Sequence, residues 1–280
     1  MERLTFPPEA VEELLSKTDA ALDVIGQKYM AEELELAEAL EQAGPDYGRQ
    51  MMLLVGCLPE LRRRYEAAGL EDELFWAMMM DLKYKLMECH TVKGQWGTFV
   101  GRWFDWHYKM KRFALGRLQF EVKEWHREEP YERAGVKVQK GDAVINMHIP
   151  SAGPLTRSLR MDAYRRAYAF FADCYYDGKL VLTCHSWLLD PVYATFLPEH
   201  SNVVDFQRDF DIYDVEKVDN FGDAWRIFGA AGDQPVDQSN AAELPRETSM
   251  QRAFADFLAA GGQTGEGHGV IVFDGKEILK

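Results

Sequence analysis

No stretch of this sequence approaches the roughly eighteen uncharged apolar residues that a membrane span needs, so none is expected. The first residues, MERLTFPPEAVEELL, do not run from basic to apolar as a secretory signal does, and a cytoplasmic location is the expectation. Cysteine is scarce. Cys57, Cys89, Cys174 and Cys184 lie far apart, which excludes a CxxC metal knuckle and gives no disulfide framework. HExxH, GxGxxG, GxSxG and a phosphate loop ending in GK(S/T) are all missing. Their absence argues against a zinc protease, a Rossmann oxidoreductase, an ordinary serine hydrolase and a nucleotide hydrolase. His126 and His200 have no partners at metal-ligand spacing, and no metal is expected. Positive charge is also in deficit, with 32 Lys and Arg against 46 Asp and Glu and a net charge of −14. Such a chain is not a general partner for a nucleic-acid backbone, although a few local donors can still hold one small anion.

What is present is the material of a folded protein. The 280 residues are 47% apolar, 12% aromatic and 28% charged, enough for one large domain or two ordinary ones. Residues 1–112 carry helical patterns and no alternating runs. After Pro7 and Pro8, EAVEELLSKTDAALDVIGQKY places Val11, Leu15, Leu22 and Ile25 on one helical face, with Glu9, Glu12 and Glu13 in the first turns. Further helices are expected over 31–43, 47–68, 71–88 and 96–110, with Pro59 kinking or dividing the second of these. Trp96, Phe99 and Trp103 keep helical spacing inside an aromatic run that continues through Phe104, Trp106 and Tyr108. Its expected use is to pack the helical half on the sheet.

From about Leu115 the rhythm changes. LGRLQFEVKE alternates through Leu118, Phe120 and Val122, and AVINMHI is a second strand. A helix follows over 155–174, then the strand KLVLTCHSWLL and a helix capped at Ser201-Asn202. FDIYDVEKV and AWRIFG read as strands, SMQRAFADFLAAGG as a helix, and GVIVFDGKEI as a closing strand. EVKEWHREEPYER reads as a solvated strand end and turn, and 229–247 as a polar loop. The expected architecture is α+β: a helical domain over 1–112, then a mixed sheet flanked by helices over 113–280.

The most informative stretch is Gly141–Ala172, GDAVINMHIPSAGPLTRSLRMDAYRRAYAFFA. An apolar strand stops at a Gly/Pro turn and feeds a long amphipathic helix. Free N–H groups in the first helical turn, with the helix dipole behind them, make such a place a natural anion seat. His148 stands at the strand end, where it could act as a base or orient an acceptor. In the later strand, alternation puts Cys184 and Ser186 on one face and His185 on the other. Adjacent residues there do not make a Cys–His nucleophile pair. Cys184 would need His148, or another base, to reach it across the strand pair, and otherwise reads as a small core residue. Ser186 could bond to a ligand or reprotonate a thiolate. Glu121 points away from Leu118, Phe120 and Val122. Beside a cleft it could serve as a general base, and otherwise it faces solvent.

The order of elements in the second half is similar to the Gcn5-related acyltransferase fold. LGRLQFE, INMHIPSAGPLT, CHSWLL, LPEHSNVVDF and GHGVIVFDG sharpen the likeness. Nearly the whole chain resembles a bacterial family that joins an N-terminal helical acyltransferase-associated domain to a GNAT-like C-terminal domain. The resemblance implies acetyl-coenzyme A or another acyl-coenzyme A as cofactor. It implies that coenzyme A enters a V between two splayed parallel strands, here 143–149 and 179–188. The pantetheine arm would follow the first strand, and the pyrophosphate would sit on the turn 150–155 and the helix start. Met147, Ile149, Ser151, Gly153, Leu155, Thr156, Arg157 and Arg160 are then the cofactor-binding candidates. Glu121, His148, Cys184 and Ser186 are the catalytic candidates. One departure is plain. The usual Gln/Arg-x-x-Gly-x-Gly/Ala loop is replaced by Pro-Ser-Ala-Gly-Pro-Leu-Thr, and Pro154 removes a donor.

The implied reaction moves an acyl group from its thioester to an amine-bearing small molecule or peptide. Glu121 or His148 would take the amine proton, and a main-chain N–H near Met147–Ile149 would polarise the thioester carbonyl. A non-catalytic acyl-coenzyme A or small-molecule binding protein on the same fold is one alternative, and a Cys-dependent hydrolase or transferase is another. A small-molecule substrate, with no nucleic acid and no membrane, is the expected partner of a monomer or homodimer.

Overall fold

Leucine- and methionine-rich helices build the first of two units, Met1–Ala114 and Leu115–Lys280, in a computed structural model that describes residues 1–280. Helix α1 spans Pro8–Leu15 and α2 spans Ala20–Met30. The single helix expected there is broken because Asp19 turns extended and caps α2, accepting from Leu22 N at 2.8 Å. The break also changes the buried face: Ala10 and Leu14 are covered, while Leu15 is exposed. Helix α3 covers only Leu36–Ala43 and opens on a reciprocal capping box between Glu35 and Glu38. Residues 31–35 before it are a connection in which Glu32 takes φ +61°.

The long helices are α4, Tyr47–Ala67, and α5, Asp72–Lys93. Pro59 sits inside α4 without dividing it. Burial of Leu54, Leu58, Leu61 and Tyr65 on either side outweighs the one bond that the proline cannot donate. Residues 96–110 do not form the expected helix. They hold a 3-10 turn, Gly101–Phe104, and a single helical turn, α6, Asp105–Tyr108. Close backbone approach is the cause. A Cβ on Gly97 would lie 2.2 Å from the Tyr47 carbonyl carbon, and Thr98 N donates to Tyr47 O at 3.1 Å. Phe104 and Tyr108 still enter the core made with Leu14, Leu54, Phe75 and Leu82. No helix is long and apolar enough to cross a membrane.

Strand β1, Arg112–Leu115, leads the chain into the second unit, where β2 spans Leu118–Glu124. A small hairpin follows, β3 Tyr131–Arg133 with β4 Val136–Val138, where the sequence pattern suggests only a solvated turn. Next come β5, Ala143–His148; α7, Arg157–Phe170; β6, Leu180–Ser186; α8, Asn202–Gln207; and β7, Asp211–Lys217. The segment AWRIFG is not a strand but a helical turn, α9, Trp225–Phe228. Its Ala224 and Phe228 are drawn into a core with Phe221, Phe254 and Leu258, and tertiary packing overrides the β-forming composition. Helix α10, Ser249–Ala259, then leads to β8, Gly265–Phe273, and β9, Ile278–Leu279.

In this unit the sheet runs β2-β5-β6-β8-β7, with β9 also on β8. Only β5 and β6 are parallel; the other pairs are antiparallel. Register fixes the two faces. One carries Phe120, Met147, Leu182, Cys184 and Ile271, and α7 covers it, with Tyr164 edge-on to Phe273 at 6.0 Å. The other is apolar at one end, where Val144, Val181, Val270 and Val272 meet Trp125 and the hairpin valines Val136 and Val138. Towards its other end the same face turns polar, through Glu121, Asn146, His148, Thr183, His185 and His268.

Candidate active site at the opening between two parallel strands

The parallel ladder between β5 and β6 is short. Ile145 pairs with Leu182 and Asn146 with Thr183, and the register ends there. Beyond it the ladder does not extend to Met147 and His148 on β5, or to Cys184, His185 and Ser186 on β6. β6 instead continues against β8 as far as Ser186 and Gly267. A sheet that opens on one side of a strand presents main-chain donors and acceptors that a ligand can take up.

The polar face beside the opening is organised around Glu121. Its register partner is Asn146, and Gln119 stands opposite His148, so all four side chains rise from one face. Glu121 is buried, with 1% of its side chain accessible, whereas 19% of the His148 side chain is open. Glu121 Oε1 lies 2.9 Å from His148 Nε2, 3.2 Å from Lys123 Nζ and 3.3 Å from Asn146 Nδ2. The lysine charge compensates the burial of the carboxylate. Asn146 Nδ2 is also 3.0 Å from His148 Nε2. When Nε2 carries a proton, that proton goes to Glu121 and Asn146 serves the carboxylate alone. Thr183 Oγ1 reaches Asn146 Oδ1 at 3.5 Å and extends the network to β6. The arrangement fixes the ring and directs its Nδ1 side away from the carboxylate, as a histidine base requires.

The turn after β5 is held by a residue with no marker in the sequence. Arg117 donates to three of its carbonyls: Pro150 O at 2.8 Å, Gly153 O at 2.7 Å and Pro154 O at 3.0 Å. These oxygens are drawn onto one guanidinium, and the first-turn N–H groups of α7 that follow have no partner within the helix. Gly153 takes φ +95°, and a Cβ there would meet nothing within 4 Å. Ser151 and Gly153 are exposed, Leu155 is buried, and Thr156 is the N-cap residue without using its side chain as a cap.

The two arginines expected near a pyrophosphate behave differently. Arg157 is 58% exposed at its side chain and touches Asp209 Oδ1 through Nη1 at 2.9 Å. Arg160 is wholly buried. Its Nε donates to Asp209 Oδ2 at 2.7 Å, Nη1 to Leu155 O at 2.7 Å and Nη2 to Asp205 Oδ2 at 2.8 Å. Tyr164 OH adds a bond to Asp209 Oδ2 at 3.0 Å. Arg160 therefore locks α7 to α8 and to the last carbonyl of the turn, and these protein partners engage its donors.

Cys184 and Ser186 rise from the face opposite His148, because Thr183 and His185 share the face of Asn146. Cys184 is 3% exposed, and burial pushes its thiol up to about 12. The sheet itself stands between this thiol and the imidazole of His148. Ser186 Oγ accepts from Leu188 N at 3.2 Å and starts the 3-10 turn Trp187–Leu189. Ser201 likewise caps α8, accepting from Val204 N at 3.2 Å. No group of three or more His, Cys, Asp or Glu side chains is arranged to hold a metal ion. Asn146 has one sequence signal: it lies two residues before His148, the spacing that puts strand neighbours on one face. Lys123 stands in the same relation to Glu121.

Two family models divide the chain between them. Residues 1–110 match the N-acyltransferase N-terminal domain, and residues 113–271 match the GNAT-like C-terminal domain. No curated protein matches the sequence. Among solved structures, the chain is similar to an acyltransferase in complex with decanoyl-CoA and teicoplanin, at 21% identity and a TM-score of 0.74. That match covers 97% of this chain and 86% of the other. An acyltransferase in complex with decanoyl-CoA gives 24% identity and a TM-score of 0.74, with the same coverage. A mutant acyltransferase in complex with octanoyl-CoA gives 20% identity and a TM-score of 0.73, over 97% of this chain and 86% of that one. With a short parallel pair in its sheet and a matching model over more than half its length, the chain belongs to the family of the GNAT-like C-terminal domain, preceded here by an N-acyltransferase N-terminal domain.

Proposed function

We propose that this protein transfers an acyl group from an acyl-coenzyme A to an amine on a small molecule. The observation that carries this reading is the Glu121–His148 pair, placed where the parallel ladder of β5 and β6 ends. The cofactor class is supported by the solved relatives, which hold decanoyl-CoA and octanoyl-CoA. One of them also holds teicoplanin, a precedent for a small-molecule acceptor.

The residues present fit such a cofactor. The β5 edge over Met147–Ile149 offers main-chain groups for the pantetheine arm and an N–H for the acyl carbonyl. Ser151, Gly153, Thr156 and the N-terminal turn of α7 offer the anion seat, with exposed Arg157 as a supplementary charge. Arg117 shapes that seat by gathering the carbonyls of the turn. Bound there, the thioester supplies an activated acyl carbon. His148 receives the amine proton, and Glu121 fixes its ring and stabilises the imidazolium that results. Asn146 and Lys123 hold the Glu121 carboxylate in place.

The test is calorimetric titration with free, acetyl- and decanoyl-coenzyme A, with thermal unfolding followed in parallel. The proposal predicts saturable heat and a stabilisation of about 2.7 kcal/mol at a hundredfold excess over Kd. Absence of heat and of stabilisation with all three contradicts it.

A further inference from the structure

A second carboxylate–imidazole pair flanks the opening, and acyl transfer through His148 and Glu121 leaves it unused. His148 lies two residues beyond Asn146, the last position of β5 in the parallel ladder. His185 lies two residues beyond Thr183, its partner on β6, and rises from the same face. Each imidazole is held by a glutamate on the next strand outward. His148 Nε2 is 2.9 Å from Glu121 on β2, and His185 Nε2 is 2.9 Å from Glu266 on β8. The two sides differ in access. Glu121 is buried, whereas 46% of the His185 side chain and 41% of the Glu266 side chain are open.

The ring of His185 also has a fixed orientation. It stacks on His268, its cross-strand partner, with centroids 3.9 Å apart and planes 7° from parallel. The charged and titratable groups around this stack are Glu266 on β8, Glu216, Asp214 and Tyr213 on β7, and Arg127 after β2, which binds Asp214. Glu216 Oε1 is 3.6 Å from His268 Nε2, beyond a hydrogen bond. Burial, and then the neighbouring His185, hold His268 below the usual imidazole range. Of the two stacked rings, His185 is the one with a carboxylate at hydrogen-bond distance.

We propose that His185 is the proton donor to the departing coenzyme A sulfur. This assignment rests on the acyl-transfer reading. In that step the amine nitrogen forms its bond to the acyl carbon, and the carbon–sulfur bond breaks with its electron pair passing to sulfur. The amine proton goes to His148. The proton on His185 Nδ1 goes to the sulfur, since Nε2 is engaged by Glu266. His148 then loses a proton to solvent and His185 regains one, so each turnover is balanced. A donor on the opposite limb of the gap from the base allows both transfers without one group serving twice.

The test reads the acidity of the coenzyme A thiol on the protein, from thiolate absorbance across pH 6–10 corrected with desulfo-coenzyme A. Wild-type protein, His185→Gln, Glu266→Gln and His148→Gln are compared, with calorimetric binding of desulfo-coenzyme A as the control for folding. An imidazolium beside the sulfur lowers the ionisation of the bound thiol by about one pH unit relative to free coenzyme A. The shift is expected to vanish in His185→Gln, to shrink in Glu266→Gln and to persist in His148→Gln, with desulfo-coenzyme A affinity within about twofold throughout. Wild-type binding with an unshifted thiol, or a shift retained in His185→Gln, overturns the assignment alone. Failure of His185→Gln to bind desulfo-coenzyme A overturns it in favour of a structural role. Failure of wild-type protein to bind coenzyme A overturns it together with the acyl-transfer reading.

Discussion

A glutamate buried on the polar face of a sheet is costly unless the charge is answered, and Glu121 is answered three times, by His148, Lys123 and Asn146. In the proposed reaction that concentration of partners on one oxygen suits Glu121 to orienting a base, and the more accessible His148 to being that base. Once an amine acceptor is in hand, His148→Gln is expected to lower kcat by about 10²–10⁴ at neutral pH, the usual contribution of a general base. Coenzyme release by thiol assay measures the rate, and acyl-coenzyme A binding should stay within about twofold. A loss of binding with unchanged kcat would assign His148 to holding the cofactor instead. Cys184 needs no role in this chemistry, because it is buried on the other face and holds its proton at neutral pH.

At the scale of elements, α7 has two jobs that its sequence does not separate. Its N-terminus presents donors to the turn, and its body is locked to α8 through Arg160, Asp205, Asp209 and Tyr164. Arg160→Met leaves Asp209 buried with fewer partners and is expected to cost about 3–5 kcal/mol, read from urea unfolding. A change below about 1 kcal/mol would mean that Arg157 and Tyr164 alone satisfy the carboxylate. The strands of 143–148 and 180–186 were legible in the sequence as apolar runs next to Gly or Pro, and the helix between them as an amphipathic pattern that opens after Pro154. The hairpin of Tyr131–Val138 was not: its strands are three residues long and rich in charge. The helix expected over 96–110 failed because Gly97 and Gly101 admit close approach by Tyr47 and Leu40, a tertiary fact with no local signature. The candidate site was half visible. Alternation placed Glu121 and His148 on their strands, but only the β2–β5 register brings them together, and Arg160 carried the right charge in a buried position.

For the whole molecule, a net charge of −14 and a polyanionic cofactor are reconciled locally. Backbone N–H groups at a helix start are neutral donors that act over a few ångströms, so they work against the general charge without changing it. The order of elements, the parallel pair that opens after two residue pairs, and the seat at the next helix are one consistent design for a thioester cofactor. Its central claim is a location, and amide hydrogen exchange with and without saturating decanoyl-coenzyme A tests that location most directly. The account predicts slowed exchange confined to peptides covering Met147–Ile149 and residues 153–159. Unchanged exchange there, with binding demonstrated by heat or with protection appearing elsewhere in the chain, would contradict it.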